Sequence, residues 1–282
     1  MSNFDINRAE KKVNPCHRAR GLQYVPFLRR QTARVNSNKS EMLGWKVKRN
    51  HHFLSEMEAQ FFYLAEFAPN VIEVREQFAL DPSETWEIEE AGGIQHPKIP
   101  GKDDYAIRTT DFLLTVSRGG RTFERAIAVK PSVHLADKRV IEKLEIERLY
   151  WKRRGVQWSI ATEKEIDPVL ADNIKAIHPC YHLDHAGLSL AGVRRVLNLL
   201  QPLVLREDRF LSVLTNYCDS QLQQEPGTSL RIVRHLLATR QWTIDFTKPF
   251  RPADRIMKLL NSAVLSQSGV GNSIVSLRAA NS

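Results

Sequence analysis

Arg108-Thr-Thr-Asp-Phe-Leu-Leu-Thr-Val-Ser-Arg-Gly-Gly-Arg-Thr-Phe-Glu-Arg-Ala-Ile-Ala-Val-Lys-Pro131 sets two apolar runs around a glycine pair. It reads as a β-hairpin, with strands over 108–116 and 123–130 and a turn over 117–122 centred near Gly119-Gly120. Pro131 ends the second strand, since it has no N–H for a sheet. Residues equidistant from a hairpin turn lie opposite one another, and side chains alternate faces. Asp111 therefore falls opposite 128–130, to within a register step, on the face that Ala128 and Lys130 share. A carboxylate and an ammonium would meet at one end of a sheet.

Outward from the hairpin, 52–67 is an ordered stretch that reads as helical from Ser55 on. Ser55 is its N-cap, Glu58 completes a capping box, and Met57, Phe61, Leu64 and Ala65 recur at helical spacing. Ala68-Pro69-Asn70 stops it. Residues 71–80 read as a strand, Asp81-Pro82-Ser83 as its break, and 83–104 as a loop. After the hairpin, 135–154 is strongly helical with Gly155 at its C-terminal cap, and 156–161 is a short strand. The order α, β, β, β, α, β belongs to a mixed α/β domain with a small sheet, over 51–167. Residues 168–282 form a second, mainly helical domain, with helices over 168–177, 189–205, 210–223 and 229–238. A strand pair is expected over 241–247 and near Phe250. A helix followed by Trp242-Thr-Ile-Asp-Phe246 and a turn at Lys248-Pro249 resembles a winged helix-turn-helix. From Ser268 onward the composition suggests a flexible tail.

Charge is unevenly spread along the 282 residues. Lys plus Arg number 41 and Asp plus Glu 32, a net charge of +9. Residues 1–50 hold twelve basic and three acidic side chains, which is the whole excess; the remainder carries 29 of each sign. A basic lead segment is the footprint of a polyanion partner such as nucleic acid, or else a solvated arm. Tyr24, Phe27 and Trp45 within it would stack on bases or pack the segment onto the next domain. With 42% apolar and 26% charged residues the composition is globular, which argues against disordered, collagen-like and membrane classes. No apolar run approaches the roughly 20 residues of a membrane span, and the first twenty residues lack a signal-peptide core. Cys16, Cys180 and Cys218 are odd in number and widely spaced, so an intracellular, reduced, soluble protein without a disulfide framework is expected.

On spacing alone, Asp111 and Lys130 have two readings. One is a cross-strand ion pair. The other, with Glu58 nearby on its helix, is a divalent-metal phosphodiesterase site: two acids hold the ion and the lysine orients water or offsets charge. His178, Cys180, His182 and His185 could bind zinc but lack a second ligand cluster, leaving a domain-linking loop as the plainer reading. His51-His52 could touch DNA or be structural. Arg231, Arg234 and Arg240 could meet phosphate or form a solvated face. Phe61, Phe62 and Trp158 are assigned to the core. No phosphate-binding loop of the Walker type and no serine nucleophile elbow are present.

Thr110-Asp-Phe-Leu113, the strand ending Ala128-Val-Lys-Pro131 and the helical Glu58 resemble the PD-(D/E)xK restriction-like nuclease core. Further segments resemble one branch of it, the TnsA endonuclease subunits of heteromeric bacterial transposons. These are His51-His-Phe-Leu-Ser-Glu-Met-Glu58, Ile72-Glu-Val-Arg-Glu-Gln-Phe78, Glu142-Lys-Leu-Glu-Ile-Glu-Arg148 with Tyr150-Trp151, and Thr162-Glu-Lys-Glu-Ile166. They lie in order across roughly 24–170, with a weaker likeness of the C-terminal half to that family's winged-helix domain. The resemblance implies a catalytic triad of Glu58, Asp111 and Lys130. Metal would be held by Glu58, Asp111 and the Val129 carbonyl, with Mg²⁺ as cofactor and Mn²⁺ as its substitute. Glu147 is a further candidate to approach the site. One position departs: the family usually carries Gln or Glu two residues before the lysine, and here Ala128 offers only a methyl. The implied function is hydrolysis at the 5′ ends of a transposon on double-stranded DNA. The implied partners are a DDE-type transposase subunit and an AAA+ ATPase regulator, in the bacterial cytoplasm at the nucleoid. A non-catalytic DNA-binding adaptor and a stand-alone restriction or repair nuclease are the alternatives.

Overall fold

The structure is a computed structural model and describes residues 6–29, 39–97, 99, 105–206, 209–253 and 260–261. The chain divides into two compact units, the first running to Ile166 and the second beginning at Asp167. No helix among the described residues is long and apolar enough to cross a membrane.

In the first unit, α1 (Ile6–Lys12) and two short 3-10 turns precede a small hairpin, β1 (Ser40–Leu43) and β2 (Asn50–Phe53). Then come α2 (Glu56–Phe67), β3 (Val71–Ala79), α3 (Pro82–Ala91), β4 (Thr109–Arg118), β5 (Arg121–Val129), α4 (Lys138–Arg153) and β6 (Gln157–Ala161). Strands β3-β4-β5-β6 form one mixed sheet, antiparallel except for β5 and β6. Those two run parallel because α4 carries the chain back across the sheet between them. The β4–β5 turn is tighter than expected. Arg118 already pairs with Arg121, and Gly119 and Gly120 take φ of +57° and +75°, the left-handed pair that a two-residue turn demands.

Side-chain alternation splits the core into two layers. Leu113, Ala126 and Ala128 pack with Leu144, Ile146, Tyr150 and Trp151 from α4. Phe112, one residue away, faces Phe53 of β2 and Phe61 of α2. Trp158 is buried with the α4 layer, and Phe61 and Phe62 are buried beneath α2, as core positions should be. Gly155, at φ +64°, ends α4 with its N–H on the Lys152 carbonyl.

Further expectations are corrected by the structure. Residues 83–104 are not all loop, for α3 occupies their first half. Asp81 caps it by accepting from the Ser83 and Glu84 N–H groups, and Pro82 sits at the first helical position. An Asp-Pro pair ends a strand and also starts a helix, so the break signal hid the start signal. The basic N-terminal segment is not a solvated arm over its described length. The Arg49 guanidinium bonds Glu76 (2.5 Å) and the Val74 carbonyl (3.1 Å) and lies over the Tyr24 ring. Arg18 pairs with Asp81 and Arg20 with Glu124. Tyr24 and Trp45 are buried, and the Phe27 N–H donates to the Gln77 carbonyl. Acids of the sheet and of the α3 cap pair with these cations, of which the Arg49 side chain is largely buried while Arg18 and Arg20 stay exposed; the partners are too distant in the chain to be seen as pairs.

The second unit contains α5 (Pro168–Ile177), α6 (Leu190–Arg206), α7 (Leu211–Gln221), α8 (Thr228–Ala238), β7 (Trp242–Thr243) and β8 (Leu260–Asn261). Ile174, Ile177, Val196, Leu200, Ile232, Val233 and Leu236 form its interior. Asp219 on α7 accepts from the Gly227 and Ser229 N–H groups and so caps α8 from outside. The strand expected over 241–247 is only two residues long. Its partner is Leu260–Asn261 and not the Phe250 region, where the Asn173 side chain instead bonds the Phe246 and Lys248 carbonyls and the Phe250 N–H. The tail from Ser268 lies outside the described residues. All three cysteines are free thiols.

Candidate active site

Asp111 enters the site on β4, Val129 and Lys130 at the end of β5, and Glu58 in the first turn of α2. The β4–β5 register pairs Phe112 with Ile127, so its next step sets Asp111 against Ala128. Asp111 Oδ2 accepts from the Val129 N–H (2.8 Å) and the Lys130 ammonium (2.7 Å). The same ammonium reaches the Val129 carbonyl at 3.0 Å. Two oxygens expected to share a cation thus already converge on one positive nitrogen.

Glu58 is fixed by its helix. Its N–H donates to Ser55 Oγ, while its carboxylate accepts from Ser55 Oγ (3.0 Å) and from the Leu54 N–H (3.0 Å). The capping box therefore forms with its backward bond one residue further upstream than the usual pattern. Burial first, and then the Asp111 charge, push the Glu58 carboxyl up to about 7. Glu147 also approaches, from α4. It accepts from Thr110 Oγ1 (3.2 Å), and burial and the Asp111 charge push it up to about 8. Burial alone would lower the Lys130 ammonium; Asp111 and Glu147 outweigh it and hold it above its ordinary value.

Gln77 is the residue that sequence reasoning missed. The β3–β4 register pairs Glu76 with Phe112 and Phe78 with Thr110, so Gln77 lies across from Asp111 on its other side. Its amide nitrogen is 3.3 Å from Glu58 Oε2 and 3.5 Å from Asp111 Oδ1, linking the two acids. The side chain is buried and the backbone takes a left-handed φ of +49°, rare for a non-glycine residue within a strand. The only signal in the chain was its place in a motif of unassigned role.

Among the described residues, no three His, Cys, Asp or Glu side chains gather to hold an ion. A metal here would rest on two carboxylates, a backbone carbonyl and water. That hard-oxygen set fits Mg²⁺, which keeps several waters and takes few protein ligands. Several of the other candidates make structural contacts. His178 and Cys180 form a short buried turn whose Cys180 carbonyl accepts from His235 Nδ1. His51 is fully buried against Glu76. Arg231 holds the Ala186 carbonyl and Thr228 Oγ1.

Two family descriptions match the chain: "TnsA-like endonuclease N terminal" over residues 68–163 and "TnsA endonuclease C terminal" over 165–246. The first spans Gln77, Asp111, Ala128, Lys130 and Glu147, while Glu58 lies just ahead of it. The transposon Tn7 transposition protein TnsA of Escherichia coli is 34% identical over 247 residues, covering 87% of this chain and 88% of that protein. Likeness of that extent, running through both units, makes this chain a member of the TnsA endonuclease family.

Proposed function

We propose that this protein is the DNA-cutting subunit of a transposase, a Mg²⁺-dependent endonuclease that hydrolyses the phosphodiester at the 5′ ends of a transposon during cut-and-paste transposition. The observation that carries the reading is the convergence of Asp111, Val129 and Lys130 at one strand end, with Glu58 tied in through Gln77. Glu58, Asp111 and the Val129 carbonyl are the groups to hold the ion. Bound there, Mg²⁺ or Mn²⁺ would polarise the phosphate and acidify the attacking water. Lys130 remains charged at working pH, orients that water and offsets charge growing on the phosphate oxygens. The 3′ oxygen leaves, and no protein atom becomes bonded to phosphorus. A DDE-type transposase subunit would cut and join the 3′ ends, under an AAA+ ATPase regulator. In the second unit, α8 followed directly by β7 supports the winged-helix reading, a surface for DNA or for those partners.

Asp111→Ala and Lys130→Ala test the assignment. In a reaction with the full partner set and Mg²⁺, each should lower 5′-end cleavage by at least about a hundredfold while 3′-end cutting persists. Intact 5′ cleavage in both variants defeats it. A non-catalytic DNA-binding adaptor is the second reading, favoured by the methyl of Ala128 beside Asp111. It predicts that neither substitution alters any strand cut.

A further inference from the structure

Carried one step past Phe112, the two strand registers set Ala128 of β5 and Gln77 of β3 on either side of Asp111. The Ala128 side chain has no atom to offer a cation. Gln77 ends in an amide already within reach of both acids. We propose that Gln77 supplies the missing oxygen: its amide turns over when a divalent ion enters and presents Oε1 to the ion that Glu58 and Asp111 hold. The inference rests on the metal-dependent reading above.

Three observations carry it. First, Gln77 is anchored at a position it would otherwise avoid. Its left-handed backbone is held by the Phe27 N–H on its carbonyl (3.2 Å), and the residue is 2% exposed. Strain of this kind persists only where the surroundings over-determine it, and it clusters at functional sites. Second, the metal-free arrangement suits an NH₂ group, since its two protons face two carboxylates. A cation between those carboxylates would repel the same NH₂ and attract the amide oxygen. Third, the far side of the amide tolerates both orientations. Thr109 Oγ1 donates to Gln77 Oε1 at 3.0 Å. A hydroxyl both donates and accepts, so after the amide turns Thr109 can accept from the NH₂ and its hydrogen bond is kept.

The test is Mn²⁺ binding to the full-length protein, followed by loss of the free-ion electron paramagnetic resonance signal, with no DNA and no turnover. Wild type should bind Mn²⁺ and Asp111→Ala should not; if wild type binds none, the metal reading fails and this inference with it. Gln77→Glu keeps length and backbone but fixes an oxygen in place, and should tighten binding about tenfold. Gln77→Asn tolerates the left-handed backbone and draws the amide back by one methylene, so it should weaken binding about tenfold. Ala128→Gln added to Gln77→Asn should restore it. Ala128→Gln alone leaves Gln77 untouched and should leave binding unchanged, because the oxygen it would add is already supplied, which keeps the test open should a Gln77 variant fail to fold. Weaker binding by Gln77→Glu, unchanged binding by Gln77→Asn, tighter binding by Ala128→Gln alone, or failure of Ala128→Gln to rescue Gln77→Asn would each reduce Gln77 to a spacer between acids and overturn the proposal, with the metal reading intact.

Discussion

Glu58 serves a helix and a site at once, and the two roles pull its proton in opposite directions. The bonds from Leu54 and Ser55 favour the carboxylate; burial and the Asp111 charge favour the acid, and they win. A carboxyl held up near 7 binds its proton more tightly folded than unfolded. Its contribution to stability is therefore full below about pH 4.5 and declines as pH rises through 7, flat beyond. Glu147, near 8, extends the decline. Lys130 is raised and stays charged throughout that window, so it adds no slope. The metal-free protein should lose stability from pH 5 to 8, and Glu58→Gln should lose less, by roughly 2 kcal/mol. Urea unfolding in a chelator at several pH values measures the difference. Parallel curves for the two proteins would mean that Glu58 is ionised at low cost, and not pressed against Asp111.

At the scale of elements, β3 anchors what precedes it in the chain. Glu76 at its centre is fully buried; burial would raise its carboxyl, but His51 and Arg49 outweigh that and hold it to about 2. Glu76→Gln strands a buried guanidinium and should cost about 3–5 kcal/mol. It should also open residues 1–50 to limited proteolysis ahead of the sheet; unaltered protection would deny Glu76 that anchoring role. The parts of this architecture that were legible beforehand are those written locally. The hairpin shows in its Gly-Gly turn and β-branched flanks, and register arithmetic then brings Lys130 to Asp111. Ser55 and Glu58 announce α2. Helix α3 was hidden because Asp81-Pro82 carries two meanings. Gln77 was illegible because its importance comes from a strand pairing and a left-handed backbone, neither of which leaves a mark in the residues beside it. The segment before β1 showed its charge but not its partners, which lie up to 104 positions away, as Arg20 and Glu124 do.

Across the whole molecule the positive excess sits within the first fifty residues, yet part of it is already paired with acids. Arg18, Arg20 and Arg49 face Asp81, Glu124 and Glu76, and the Lys46 ammonium bonds the Ala68 carbonyl. Deleting the segment would remove Tyr24, Trp45 and β1 from a packed unit, so any loss of DNA binding would follow from unfolding. Single charges give a cleaner test. Arg30 and Arg34, outside the described residues, belong to the same basic run. If they neutralise DNA phosphates, Arg30→Gln with Arg34→Gln should flatten the dependence of log affinity on log salt by about 0.9 for each phosphate no longer neutralised. Arg18→Gln should leave that slope alone and cost at most about 1 kcal/mol of stability, because its ion pair with Asp81 is half exposed. Fluorescence anisotropy on a transposon-end duplex from low to moderate salt separates the two. An unchanged slope in the Arg30/Arg34 variant would assign that stretch to a protein partner, and the DNA contacts would then have to come from the sheet end and the second unit.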